Sequence, residues 1–354
     1  MVPRLEYDAL SLSRPLLGPA GPRWQGDGVA SRRLWVLLLL LVLTGCAPSA
    51  GDAPPVPSPP PPSSSALTSS PPARIVDTEQ ISDRQVDLTI DSPAVGSAVK
   101  VRLLVPKSFR PGPTPTRPVL YLLHGCCDSY VSWTRSTDIE QLTKDLDVLV
   151  VMPDGGKVGF YSDWKSGPAW ERFHLAELPA LLGPEYGAGE PRAIAGVSMG
   201  GLGALGYTAR HPGMFRAVAS FSGIAHIRQS ADTSQGYIGL VQSQGEDGYA
   251  LWGDPATDED TWQEHNPYDL ADRLQGMPVY LSCGNGESGP LDAEGTVDSI
   301  EAQLRRENEA LAKRLRKLQP EATVHLYGPG THNWVYWERE LHAAWPMITK
   351  ALGL

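Results

Sequence analysis

One pentapeptide has the spacing of an activated serine: Gly196-Val197-Ser198-Met199-Gly200, inside the stretch AIAGVSMGGLGAL that covers 193–205. Glycines two residues before and two after permit a cramped backbone with Ser198 at its apex. The pattern G-x-S-x-G works as a nucleophile elbow where a strand turns sharply into a helix. The chain has that context, because RAIAGV (192–197) reads as a buried strand and 199–210 as a helix. There the hydroxyl stands above the strand end, and the Met199 N–H at the helix start is placed to meet a developing oxyanion. The plainer alternative is a serine that only caps the helix behind it.

A serine nucleophile needs a base, and the base needs a carboxylate to orient it. Three histidines lie in the right downstream region: His325, His332 and His342. His325 falls inside a predicted strand and His342 inside the predicted terminal helix. His332 lies in GPGTHNWVYW, a glycine-rich loop directly after the last strand, where a base belongs. Two carboxylates compete for the acid. Glu287, in CGNGESG, follows the seventh predicted strand directly, and spacing alone favours it. Glu301 lies on the next helix, at the margin of the face formed by Val297, Ile300 and Leu304, where a side chain can turn inward. The second oxyanion donor is expected from the loop after the third predicted strand, HGCCDSY, where Gly125 lets the Cys126 N–H turn into the site.

The chain has four cysteines. Cys126 and Cys127 are adjacent and could bridge only through a strained ring, so no disulfide framework is expected and the fold must rest on its core. A cysteine nucleophile is not expected beside a serine set. HGCC lacks the second Cys/His cluster that a zinc site needs, so neither metal nor cofactor is called for.

These residues must be positioned by elements, and the elements are readable. Strands are predicted at 85–90, 99–105, 118–124, 147–153, 192–197, 217–223, 278–284 and 323–328. Helical patterns occupy 136–145, 169–182, 199–210, 296–318 and 336–351. Strand and helix in alternation give an α/β fold with a mostly parallel sheet of about eight strands, covered by helices on both faces. The first two strands lack a helix between them and should form an antiparallel edge.

Upstream, the composition changes. The net charge of −10 leaves no basic surface for nucleic acid. Many of the 33 prolines crowd into PSAGDAPPVPSPPPPSSSALTSSPP (48–72), which has almost nothing to bury and reads as a solvated tether. Before it stands SRRLWVLLLLLVLTGC (31–46): Arg32 and Arg33, an apolar run of signal-peptide length, then Leu43-Thr44-Gly45-Cys46. That ending is similar to the lipobox of bacterial lipoproteins, which implies cleavage before Cys46 and a diacylated sulfur. The expected organisation is a signal peptide over 1–45, with a start near Val29 in place of 1–28, a lipidated tether over 46–74 and one catalytic domain over 75–354. No segment after Cys46 is long and apolar enough to span a bilayer.

Seven linked stretches then carry a resemblance: YLLHG (121–125), VVMPDGGKVGFYSDW (150–164), WERFHLAELPALL (170–182), GVSMGGLGAL (196–205), LWGDP (251–255), CGNG (283–286) and GTHNWVYW (330–337). In this order the chain resembles the esterase D-like branch of the α/β-hydrolases, and within it the antigen 85-type mycolyltransferases, over roughly 98–351. The resemblance implies Ser198 as nucleophile, His332 as base, Cys126 and Met199 as oxyanion donors, and Glu301 in preference to Glu287 as acid. It implies Trp334 as a wall of the acyl pocket. His124 and Cys127 stand where those transferases carry an acidic residue and an arginine that hold trehalose, which argues against a sugar acceptor. The expected protein is a serine carboxylesterase or acyltransferase, lipid-anchored at the outer face of the cell membrane, acting on an acyl ester with water or an alcohol as acceptor. The alternatives are a trehalose mycolyltransferase and, in another class, a non-catalytic adhesion or ligand-binding lipoprotein.

Overall fold

The structure, a computed structural model, describes residues 72–110 and 115–354. The segments expected to form a signal peptide (1–45) and a tether (46–74), with Cys46, lie outside the described residues except for 72–74. The strands are β1 (Arg74–Gln80), β2 (Gln85–Ser92), β3 (Ser97–Leu104), β4 (Arg117–Leu123), β5 (Leu149–Pro153), β6 (Ala188–Val197), β7 (Val218–Phe221), β8 (Val279–Cys283) and β9 (Thr323–Leu326). They form one sheet in the order β1-β2-β3-β5-β4-β6-β7-β8-β9. The β1, β2, β3 and β5 neighbours pair antiparallel, and from β5 to β9 every pair is parallel. All eight predicted strands are present. The ninth, β1, is an addition: RIVDTEQ is almost wholly exposed at the sheet edge and has no buried face to reveal it.

The helices are α1 (Ser132–Ser136), α2 (Ile139–Leu142), α3 (Trp170–Arg172), α4 (Leu178–Tyr186), α5 (Met199–Arg210), α6 (Ala231–Ser243), α7 (Gly248–Trp252), α8 (Glu259–Glu264), α9 (Ser299–Leu318) and α10 (Trp334–Leu352). The sheet has two cores because side chains alternate across it. In β4, Val119, Tyr121 and Leu123 face the layer built with α4, α5, α6 and α9. Leu120 and Leu122 face the opposite layer, where Trp133 of α1 and Trp337, Leu341, Ala344 and Ile348 of α10 pack. Strands buried on both faces read as continuous apolar runs, which is why β4 to β8 are plain in the sequence.

The loops at the carboxyl ends of the parallel strands are where ligands bind in such sheets. Four of them matter here: after β4 comes Cys126, after β6 Ser198, after β8 the segment leading to Glu301, and after β9 His332.

Candidate active site

Ser198 stands between β6 and α5 with φ 54° and ψ −120°, a backbone region that non-glycine residues avoid. Its neighbours explain how the turn closes. A Cβ on Gly196 would lie 2.1 Å from the Gly200 carbonyl oxygen, and one on Gly200 would lie 2.3 Å from the Leu123 carbonyl oxygen. Both positions therefore require glycine. The Ser198 hydroxyl makes no capping bond to α5, so the helix-cap alternative fails. Its main chain is pinned instead: the N–H donates to the Phe221 carbonyl (3.0 Å), and the carbonyl accepts from Ile224 N–H (3.1 Å). As the first residue of α5, Met199 has an N–H with no intrahelical acceptor.

His332 lies in the loop before α10, and its Nδ1–H donates to Glu301 Oε2 at 2.7 Å. Glu301 is completely buried. Its other oxygen, Oε1, accepts from the Ser222 hydroxyl (2.7 Å), the Gly284 N–H (2.6 Å) and the Cys283 thiol (3.3 Å). Burying a carboxylate is costly unless its lone pairs are met, and here they are. Ser222 in turn accepts from Trp337 Nε1–H (3.1 Å), and the Trp337 ring stands edge-on to the His332 imidazole, centroids 4.8 Å apart. Asp298 joins the two arms. Its Oδ1 accepts from Ile300 and Glu301 N–H at the start of α9, both 3.0 Å, while Oδ2 accepts from the His332 N–H at 2.8 Å. Burial, followed by the charge of Glu301, pushes the Cys283 thiol well above its ordinary range, which leaves it a protonated donor.

Of the two candidate acids, the structure brings Glu301 to His332. Glu287 is exposed on the loop after β8, where its carboxylate accepts from Asn285 Nδ2 at 2.7 Å. Ser198 and His332 share a cavity of about 260 Å³ with Cys126. Its walls are mostly apolar, with Tyr237 and Leu240 from α6 facing Ile300 and Leu304 from α9. A Cβ on Gly125 would come within 3.1 Å of Ser198 Cβ, so the HGCC loop runs directly against the serine.

Three sequence expectations are corrected. Cys126 and Cys127 are joined by a disulfide, and Cys283 is a buried free thiol. His124 does not reach substrate: it is fully buried, its Nδ1–H donates to the Gly125 carbonyl (2.9 Å) and its Nε2 accepts from Gly155 N–H (2.9 Å). That ring braces the HGCC loop against the loop after β5. Trp334 is not among the residues lining the cavity of Ser198 and His332. It packs edge-on against Trp133 and Trp337, with centroids 5.2 and 5.0 Å away, and belongs to the α1–α10 layer. Ser222, Gly284, Asp298 and Trp337 were not foreseen. They meet only through the fold, and no spacing in the chain announces them.

Fold and site together define an ester hydrolase or acyltransferase of the α/β-hydrolase fold that works through a serine. The chain belongs to the Esterase family, whose model matches residues 92–348. It is 30% identical over 285 residues to the diacylglycerol acyltransferase/mycolyltransferase Ag85B of Mycolicibacterium smegmatis, covering 75% of this chain and 85% of that one. It is also 33% identical over 226 residues to Esterase Rv1288 of Mycobacterium tuberculosis, covering 60% of this chain and 48% of that one. Among solved structures, MPT51 (FbpC1) of Mycobacterium tuberculosis superposes with a TM-score of 0.61 at 23% identity, over 74% of this chain and 96% of that one. An S-formylglutathione hydrolase from Agrobacterium tumefaciens does so with a TM-score of 0.59 at 18% identity, over 78% and 99%.

Proposed function

We propose that Ser198, His332 and Glu301 act as a catalytic triad that transfers an acyl group from an ester to water or to an alcohol. The observation that carries this is the 2.7 Å bond from His332 Nδ1–H to a buried Glu301, beside a serine on a strained turn in the same cavity. With Nδ1–H committed to Glu301, Nε2 is free to take the Ser198 proton as Oγ attacks the ester carbonyl carbon. The negative oxygen of the tetrahedral intermediate is met by the N–H groups of Met199 and Cys126. His332 returns the proton to the departing alcohol, and the acyl-enzyme is then opened by water or a second alcohol by the same steps in reverse order. The apolar channel between α6 and α9 suits the acyl chain.

The experiment is labelling by a fluorophosphonate, which reacts with an activated serine. We expect one label, at Ser198, lost in both Ser198→Ala and His332→Ala. A folded protein that takes no label would defeat the proposal.

The acyltransferase activity for which Ag85B is named favours a transferase as second reading. Cys127 argues for hydrolysis, since a disulfide sulfur offers no fixed donors to sugar hydroxyls where a guanidinium would offer several. Positioning is what lets an alcohol outcompete water. With an activated acyl ester and rising trehalose, we expect mostly free acid; predominant sugar ester at low trehalose would favour the transferase. The run from Arg32 to Cys46 supports anchoring by a diacylated Cys46 at the outer membrane face, and two acyl chains suffice for stable attachment.

A further inference from the structure

The loop that carries Cys126 is fastened on both sides of the cysteine pair. Asp128 N–H closes a turn on the Gly125 carbonyl (3.2 Å), and that carbonyl also accepts from the buried His124 ring. The Asp128 carboxylate pairs with the Arg135 guanidinium, Nη1 to Oδ1 at 3.0 Å. Between these anchors, the two central residues of the turn are joined sulfur to sulfur. Cys126 is half-buried and lines the cavity with Ser198 and His332, while Cys127 is exposed on the outer side. A bond between adjacent residues ties no distant segments together, so the loop-closure stabilisation that disulfides ordinarily supply is small here. Its effect is local: it fixes the torsions of the pair, of which Cys126 lines the cavity with the serine.

We propose that the Cys126–Cys127 bond is a positioning element for the reaction, holding the Cys126 N–H on the oxyanion, so that the enzyme is fast when oxidised and slow when the pair is reduced. This rests on the reading of that N–H as an oxyanion donor. The exposed sulfur makes the bond accessible to a dithiol. One thiolate of dithiothreitol attacks Cys127 Sγ and expels the Cys126 thiolate. The second thiol then closes onto the first, leaving a cyclic disulfide and two protonated cysteines. Two electrons and two protons pass from the reagent to the protein. Cys283 does not take part, because it is buried and bonded to Glu301.

The test compares the full chain before and after dithiothreitol, with the reagent removed. Alkylation and peptide mass report the state of the pair, and kcat and KM are measured on a p-nitrophenyl ester. Loss of an oxyanion donor lowers kcat by about 10²–10³, and a donor loosened in place should give a fall of about tenfold or more. We expect that fall with KM within about twofold, and its recovery on reoxidation by glutathione disulfide, which takes two electrons and two protons from the pair and leaves as two glutathione thiols. Cys127→Ser should show the same low kcat, indifference to dithiothreitol, and an unchanged melting temperature. A reduced pair with unchanged kcat, or Cys127→Ser at full rate, would overturn the inference while fluorophosphonate labelling of Ser198 stood. Failure of labelling in the oxidised protein would remove the triad reading, and this inference with it.

Discussion

At the scale of single residues, the carboxylate proposed as the acid is the informative position. Glu301 faces four partners, and an amide in its place could satisfy the donors from Ser222 and Gly284 only through its oxygen. Its nitrogen would then donate to His332 Nδ1 and force the proton onto Nε2, the atom that must accept the serine proton. Glu301→Gln is therefore expected to lower kcat by about 10³–10⁴ with KM little changed, whereas Glu287→Gln should stay within about threefold of the parent, because an exposed loop carboxylate is readily replaced. Steady-state kinetics on one ester decide it, and a reversal of the two effects would move the acid to the loop after β8. Ser198 and His332 were legible because a motif and a loop position mark them. That Glu301 lies against His332 was legible from its place at the margin of a helix face and from the resemblance, against a spacing that points to Glu287. Ser222 and Trp337 were not legible: their bond joins residues 115 positions apart, and nothing local distinguishes that serine from any other.

At the scale of elements, α9 carries Glu301 to His332, and Asp298 sets where α9 begins. One carboxylate caps the helix and holds the His332 main chain, so the two arms of the site share a single fastening. Asp298→Asn keeps a good capping oxygen but puts an amide nitrogen against the His332 N–H. We expect it to melt near the parent temperature with kcat about tenfold lower. Asp298→Ala should lose the cap as well, destabilising by about 1 kcal/mol. Equal kcat for Asp298→Asn and the parent would show that His332 is held without it. The parallel strands and the helices α5, α9 and α10 were legible from apolar runs and periodicity. Helices α6 to α8 were not, because ADTSQGYIGLVQS has two glycines and buries only four residues. The adjacent cysteines alone argue against a disulfide, because a ring between neighbours is difficult to close; that local argument is blind to the turn that brings the sulfurs together.

At the scale of the whole molecule, acid should unfold the protein through histidines buried without charge. His174 is enclosed between Tyr207 and the Asp154 carbonyl, and burial lowers it to about 4. His265, against Trp252, is lowered to about 4 by burial and then by the charge of Arg210. In the unfolded chain both take up protons near pH 6.5. The unfolded state therefore binds more protons between pH 6.5 and 4, and stability falls as pH drops through that window. The slope expected there is about 1.4 kcal/mol per pH unit for each histidine, and stability owed to these groups is flat above pH 7. Thermal unfolding across pH 4.5–8 measures it; a melting temperature independent of pH below 6.5 would refute the assignment. His174→Gln should flatten part of the slope.

The fastening of α9 by Asp298 also bears on how such a chain can diverge. Glu301 is three positions past Asp298, so one inserted residue between them would swing the carboxylate about 100° around the helix axis, away from His332. A change of length at the exposed tip around Gly295, where a side chain would meet nothing within 4 Å, leaves that count untouched. The segment between β8 and α9 can thus lengthen or shorten over evolutionary time while the distance along the chain from Asp298 to Glu301 stays frozen.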